Sequence, residues 1–197
     1  MMKTLILFLS ILFSFNIIAA PFGVVSKLIG TATYNGDPIS TGAKVEQDGT
    51  VVVGEKSILQ IKVPAYNSQM TFAPKSKIKL QFKKGKYKSS PYTLMGGTAR
   101  WLTKGKSKYK GSLKTRSAVM GVRGTDFIAV ASPIWDESEI VCLDGKVVFI
   151  NRKNRKNKFV VNKGQWGGIG GRFGAKMKKP VNLPENMLSY FSAVLAE

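Results

Sequence analysis

Apolar and polar residues alternate at every second position through much of residues 24 to about 166, and this limits what the chain can fold into more than any other feature. In "KSKIKLQFK", Lys75, Lys77, Lys79 and Lys83 alternate with Ser76, Ile78, Leu80 and Phe82. Successive side chains of a strand point to opposite faces, so a strand here turns a lysine row outward and an apolar row inward. Other β-rich runs are "TVVV", "SILQIKV", "SQMTFA", "DFIAVA", "IVCL", "KVVFI" and "KFVV". Between them lie the turn signals "NGDP" (Asn35 to Pro38), "QDGT" (Gln47 to Thr50) and "LDGK" (Leu143 to Lys146), whose Asn-Gly or Asp-Gly supplies the positive φ of tight hairpins. The even spacing, with no long amphipathic helix in between, predicts an all-β domain: a sandwich, a jelly roll or a flattened β-helix. No clean sequence repeat accompanies it.

A chain of 197 residues is long enough for one domain with a real core. Its 31 Lys and Arg against 11 Asp and Glu give a formal charge of +20. Such a surface repels its own copies and attracts polyanions: nucleic acid, lipopolysaccharide, cell-wall or capsular polymers, anionic lipid. Histidine is absent, which removes Ser-His-Asp and Cys-His catalysis and the commonest transition-metal ligand. Cys142 is the single cysteine, so neither an intramolecular disulfide nor a thiolate metal cluster can form. Nothing in the sequence implies a cofactor or a bound metal.

Residues 1–20, "MMKTLILFLSILFSFNIIAA", have one lysine, an apolar core and the small residues Ala19 and Ala20, the layout of a secretory signal. Pro21 is unfavourable just after a cut, which favours cleavage after Ala19 over cleavage after Ala20. The segment holds no cysteine for a lipid anchor. The alternative is an uncleaved membrane anchor; Ser10, Ser14, Asn16, Pro21 and Gly23 weaken it as a span of about 20 apolar residues. With no second hydrophobic segment, the expectation is an exported protein, periplasmic or secreted.

Two more basic clusters join the lysine row. In "KSKYK", Lys106, Lys108 and Lys110 share one side of a strand, with Ser107 and Tyr109 on the other. Arg152, Lys153, Arg155, Lys156 and Lys158 read as a hairpin loop between "VVFI" and "FVV". Any single row reads as solvated surface or as edge protection, since lysine on an edge strand blocks strand-to-strand aggregation. Together, Lys75, Lys77, Lys79, Lys83, Lys106, Lys108, Lys110, Arg152, Lys153, Arg155 and Lys156 are candidates for polyanion contact. Tyr87, Tyr92, Trp101 and Tyr109 offer stacking surfaces, but read first as half-buried sheet residues.

"GQWGGIGGRFG" packs six glycines into residues 164–174 and is not spaced as a phosphate-cradling loop. In "LPENMLSYFSAVLAE", Met187, Leu188, Phe191, Val194 and Leu195 fall at helical spacing, with Pro184 near the start where it is tolerated. The chain thus divides into a signal (1–20), a β domain (21–170), a Gly/Lys-rich linker (171–183) and a C-terminal amphipathic helix (184–197). The helix is expected to dock on the β domain or cover its edge; partner binding is the lesser reading.

Catalysis finds little to work with. A glycosidase needs two carboxylates across a cleft, and the acids on or near strands are Asp126, Asp136, Glu137 and Glu139. Three of them sit in "WDESE", which reads as an exposed acidic loop and lacks the glycine and ligand count of a calcium loop. The expectation is a protein that is not an enzyme.

"RSAVMGVRGTDFIAVAS", Arg116 to Ser132, is an apolar run carrying Arg123 and Asp126 around Gly124. On an ideal strand Val122, Gly124 and Asp126 share one face and Arg123, Thr125 and Phe127 the other. A direct pairing therefore needs a bulge at Gly124; without one, each charge needs its own partner, because a lone buried charge costs several kcal/mol. The expectation is a structural pairing that makes Arg123 and Asp126 fold determinants.

Within this run "SAVMGVRGTDFIAV" resembles the most recognisable segment of the FecR-domain family. "GTATYNGDPISTGAKVEQDGTVVVGEKSILQI" is similar to that family's opening, "MTFAPKSKIKL" to a later element, and "GGTARW" to its central glycine-led strand. "LDGKVVFI" and "VVNKGQW" look like its closing strands. The resemblance spans roughly residues 25–168 and is most specific at Gly121, Val122, Arg123, Gly124, Thr125, Asp126 and Phe127. It implies a β domain that acts by protein contact in the bacterial envelope. Regulators of the family are implied to have a cytoplasmic segment, a membrane span and a periplasmic FecR domain, relaying receptor occupancy to an extracytoplasmic-function sigma factor. An export signal directly before the domain leads us to expect the periplasmic domain without the anti-sigma and membrane-span parts.

Two functional classes follow. The first is a non-enzymatic envelope module, scaffold or sensor, that binds an unknown protein or an envelope polyanion. The second is a secreted cationic protein that binds lipopolysaccharide, cell-wall polymer or nucleic acid, the last being the weaker candidate; contact with a membrane surface is compatible with both. A carbohydrate-active enzyme using Asp126 or the acids of "WDESE" is a third and weaker class.

Overall fold

The computed structural model describes residues 23–45, 48–64, 67–80, 92–103, 105, 111–122, 124–171, 174 and 179–195. Residues 1–20, Tyr87, Tyr109, Lys83, Lys106, Lys108, Lys110 and Arg123 lie outside them, as do the side chains of Val122 and Val194. Among the described residues no helix is long and apolar enough to cross a membrane.

The N-terminal strands are β1 (Gly23–Ile29), β2 (Ala32–Tyr34), β3 (Asp37–Pro38), β4 (Lys44–Val45), β5 (Gly49–Val53), β6 (Ile58–Val63), β7 (Ser68–Phe72) and β8 (Lys77–Leu80). A 12-residue strand β9 (Tyr92–Thr103) follows. Then come β10 (Gly111–Lys114), β11 (Ala118–Val122), β12 (Asp126–Ser132), β13 (Glu137–Asp144), β14 (Lys146–Asn151), β15 (Lys158–Asn162), β16 (Gln165–Ile169), β17 (Val181–Asn182) and the helix α1 (Glu185–Val194). Each quoted β-rich run has its core on one of these strands, while residues 81–83 and the "KSKYK" run lie outside the described residues. The all-β expectation holds, with one short C-terminal helix.

The pairings make two layers. Sheet A runs β4-β1-β6-β7-β9-β12-β13-β16-β17. Sheet B runs β3-β2-β5-β8-β9-β10-β11-β14-β15. Among the described strands only the β9–β10 pair is parallel. β9 serves both layers: its first half pairs with β8 and β10, its second with β7 and β12, so one hydrogen-bonded network joins all 17 described strands. Alternation buries one face of each layer in a common core. Val51, Ile78, Tyr92, Leu94, Met120 and Phe149 come from sheet B; Leu59, Ile61, Met70, Phe72, Trp101, Phe127 and Ile140 come from sheet A. Across that core Tyr92 meets Trp101 edge-on at 4.8 Å, and Trp101 stacks on Phe127 at 6.1 Å.

The chain passes between layers at paired crossings, two adjacent strands changing sheet side by side. Where β1 leads to β2 beside β5 and β6, the buried Ser57 hydroxyl accepts the Thr31 amide N–H at 2.8 Å. Where β7 leads to β8 beside the middle of β9, buried Ser76 donates to the Thr98 carbonyl at 2.9 Å and accepts its N–H at 3.0 Å. Gly97 turns β9 here with φ +92, and a Cβ on it would lie 2.6 Å from the Ser76 Cα, so no other residue fits.

The third crossing revises two expectations. "LDGK" connects β13 in sheet A to β14 in sheet B and is not a hairpin; "NGDP", by contrast, is a two-residue hairpin between β2 and β3. The run around Gly124 is likewise two strands, β11 ending at Val122 and β12 starting at Asp126, with Gly124 at φ +62. The two bends touch: a Cβ on Gly145 would stand 2.8 Å from the Gly124 carbonyl oxygen. A register shift exists nearby, between Asp126 and Phe127, where Leu143 of β13 is the extra residue.

Candidate functional site

At the third crossing Asp126 has a partner that the motif itself does not contain. Arg100 of β9 grips its carboxylate with two bonds, Nε to Oδ1 at 2.9 Å and Nη2 to Oδ2 at 2.7 Å. The remaining guanidinium nitrogen donates to the carbonyls of Ser192 and Leu195, both at 3.0 Å, at the C-terminal end of α1. A cation belongs there, because the last carbonyls of a helix are unpaired and carry its negative dipole end. Both side chains of the pair are about 15% exposed, so the fork is largely shielded from solvent. The partner shown for Asp126 is Arg100, and the expected role of Arg123 lies outside the described residues. Sequence reasoning missed Arg100, although a charge between Ala99 and Trp101 in an apolar strand was the available sign. Thr125 is buried, and its hydroxyl has no hydrogen-bond partner among the described residues.

The outer face of sheet A is the covered one. Cross-strand neighbours form a row Lys27, Gln60, Thr71, Arg100, Ile128, Val141, Trp166, Val181. Ile128 and Val141 point away from the core yet are 2% and 4% exposed, and Leu195 beyond α1 is 3% exposed. With Arg100 tied to the end of α1, and Leu188 against Gly164, the helix lies over this face, as its spacing predicts. Glu139 accepts the indole N–H of Trp166 at 2.9 Å.

The outer face of sheet B is basic, and no described element covers it. Thr50, Lys79, Thr93, Lys114, Val119, Ile150 and Lys158 are successive cross-strand neighbours. Lys77 and Lys146 flank this row, and no carboxylate stands on β5, β8, β9, β10, β11, β14 or β15. Val52, Met95, Val148 and Val160, each roughly two-fifths exposed, lie among the lysines. Lys77 and Lys79 point outward as the alternation predicts. Lys75 does not join them: it sits in a turn with φ +61 and pairs with Glu55 at 2.7 Å, which lowers the Glu55 pKa. Lys114 and Lys146 belong to this face although neither stands in a lysine-rich run.

The basic hairpin 152–158 is used partly for construction. Arg152 donates to the carbonyls of Thr115 and Arg116 at 2.7 and 3.3 Å, and Lys153 binds Asp136 at 2.9 Å. Arg155 and Lys156 are exposed. The four acids weighed for catalysis do not converge as a pair: Asp126 belongs to Arg100, Asp136 to Lys153 and Arg116, Glu139 to Trp166, and Glu137 is buried at the start of β13. Burial, with the Asp144 and Asp126 charges, raises the Cys142 pKa to about 11, which keeps the thiol protonated and unreactive.

A family model described as FecR protein matches residues 49–148, half of the chain. The chain belongs to the FecR family. No curated protein matches it. Two crystal structures of a candidate anti-sigma factor from Parabacteroides distasonis ATCC 8503, at 2.50 and 1.65 Å resolution, are similar to this FecR protein with TM-scores of 0.58 and 0.57. Each is 11% identical, and the match covers 72% of this chain and 63% of the other, so the FecR chain spans less than two thirds of that protein's length. At that identity the likeness speaks for the fold alone.

Proposed function

We infer that this FecR protein is an exported, non-enzymatic binding module of the cell envelope, working by surface contact as part of a regulatory or sensory assembly. Family membership supports a regulatory rather than a catalytic role. The observation that carries the reading is the outer face of sheet B, where five lysines and four exposed aliphatic side chains share a surface without one carboxylate. In monomeric proteins a mixed apolar and single-sign face of this kind marks an interaction surface. Residues 21–170 supply that module, and its partner is an envelope polyanion such as lipopolysaccharide or a cell-wall polymer. The test is a salt titration of binding to immobilised lipopolysaccharide. Counterion release predicts a steep linear fall of log affinity with log salt, and replacing Lys77, Lys79 and Lys114 together by serine lowers the slope by roughly one unit per lysine. Binding that persists at high salt and ignores these substitutions points to the second reading, a shaped protein-protein interface of the kind an anti-sigma factor would use.

A further inference from the structure

At the end of the sandwich away from the third crossing, residues of four connections meet: 115–117, 133–136, 151–157 and the described Gly170, Gly171 and Gly174. They enclose a cleft of about 470 Å³ lined by Ser117, Asp136, Asn151, Lys153, Asn154, Asn157 and the turn at Gly170 and Gly171, with Ile169 as an apolar contribution. That volume lies within the roughly 300–1,000 Å³ of small-ligand sites. Asp136 is held in the left-handed region at φ +47, its carboxylate fixed by Lys153 at 2.9 Å and Arg116 at 3.5 Å. The side-chain oxygens of Asn151 and Asn154 accept backbone N–H groups inside their own loop, which sets both side chains in place and leaves their amide hydrogens to donate. Among the described residues the Asn157 side-chain amide has no hydrogen-bond partner. On the same connection as Asp136 stand Ile134 and Trp135, 86% and 68% exposed, and the Trp135 carbonyl accepts the Gly171 N–H at 3.1 Å.

We propose that this cleft is a saccharide-binding site and that its ligand is a glycan unit bearing a carboxylate. A fixed carboxylate, an ammonium and three carboxamides offer the interleaved acceptors and donors that neighbouring hydroxyls need. The exposed indole of Trp135, one residue before Asp136 on the same connection, supplies a flat apolar face for a pyranose ring. Lys153 in the lining, Arg116 on Asp136, and the exposed Arg155 and Lys156 of the 151–157 connection outnumber Asp136 and Glu137 on these connections, which selects an acidic over a neutral sugar. One exposed indole at the site gives no run of platforms for successive stacked bases, which sets single-stranded nucleic acid second. The site is separate from the basic face of sheet B, and either can fail alone.

Isothermal titration of the purified protein decides it, with trigalacturonate and sialyllactose as acidic probes, maltotriose as the neutral one and oligo(dT) as the nucleic acid, at about 0.3 M NaCl where surface charge is largely screened. Saturable binding of an acidic saccharide is expected, weakened about tenfold or more by Trp135→Ala and by Asn157→Ala, a loss of roughly 1.4 kcal/mol each. The melting temperature is expected to stay unchanged in both variants, and the triple lysine variant of the sheet B face to bind as the parent does. The proposal is overturned if neither acidic saccharide binds, if maltotriose or oligo(dT) binds more tightly, or if Trp135→Ala binds like the parent.

Discussion

The two outer faces of this sandwich have the same strand geometry and opposite fates. On sheet A, β9 and β12 turn Arg100, Asp126 and Ile128 outward, and the C-terminal helix closes over them. On sheet B the same β9, through Thr93, joins a lysine row that no described helix covers. A buried charge pair needs full satisfaction to be tolerated, and the fork of Arg100 gives it by holding both a carboxylate and the helix end. Scattered lysines need only water. The difference teaches that charge on a strand reads as structure when its cross-strand neighbours supply the opposite charge, and as contact surface when they repeat its own.

Four measurements press on that contrast. The largest effect is expected from Asp126→Ala, which leaves Arg100 largely buried without its carboxylate; a loss of roughly 3–5 kcal/mol should appear in urea unfolding, and a loss below that of an ordinary surface pair would mean that the fork is not the anchor of this face. Leu195→Ala removes the apolar residue beside the bonded helix end and is expected to cost about 2 kcal/mol in the same assay. A pH series on Cys142, under sheet A, comes next. Its pKa is raised from 9.0 to about 11, so the stabilisation from keeping the thiol neutral is complete below pH 9 and is lost as pH rises through 11. The parent should therefore lose stability faster over that window than Cys142→Ala, and parallel curves would contradict the burial. The smallest effect on stability belongs to sheet B: serine at Lys77, Lys79 and Lys114 is expected to change unfolding by less than about 0.5 kcal/mol per site, while the salt slope of polyanion binding falls by roughly one unit per lysine.

Much of this fold was legible in the sequence because alternation is a local property. The outward aim of Lys77 and Lys79, the inward aim of Ile78 and Leu80, and the helix at Met187 to Leu195 all follow from spacing alone. What spacing does not carry is pairing. Asp-Gly at residues 144–145 signals a bend and cannot say whether the next strand returns beside β13 or leaves for the other sheet. Asp126 finds Arg100 across 26 residues, through a register that β9 and β12 settle only once both are in place. The cleft is of the same kind: Asp136 and Lys153 come from segments read separately as an acidic loop and a basic hairpin, and only the shared end of the layers brings them together.

β9 divides the molecule in a way that matters while the chain is still being made. In both sheets every strand on one side of β9 precedes it in sequence, and every strand on the other side follows it. A chain extended no further than residue 91 holds β7 and β8 with one long edge each unpaired, two templates for association with a neighbouring chain. Arrival of Tyr92–Thr103 closes both edges in a single step. The lysines on β8, and the basic stretch that separates β8 from β9, thus fall on the part of the nascent chain where mutual repulsion between copies does the most to keep it unassociated.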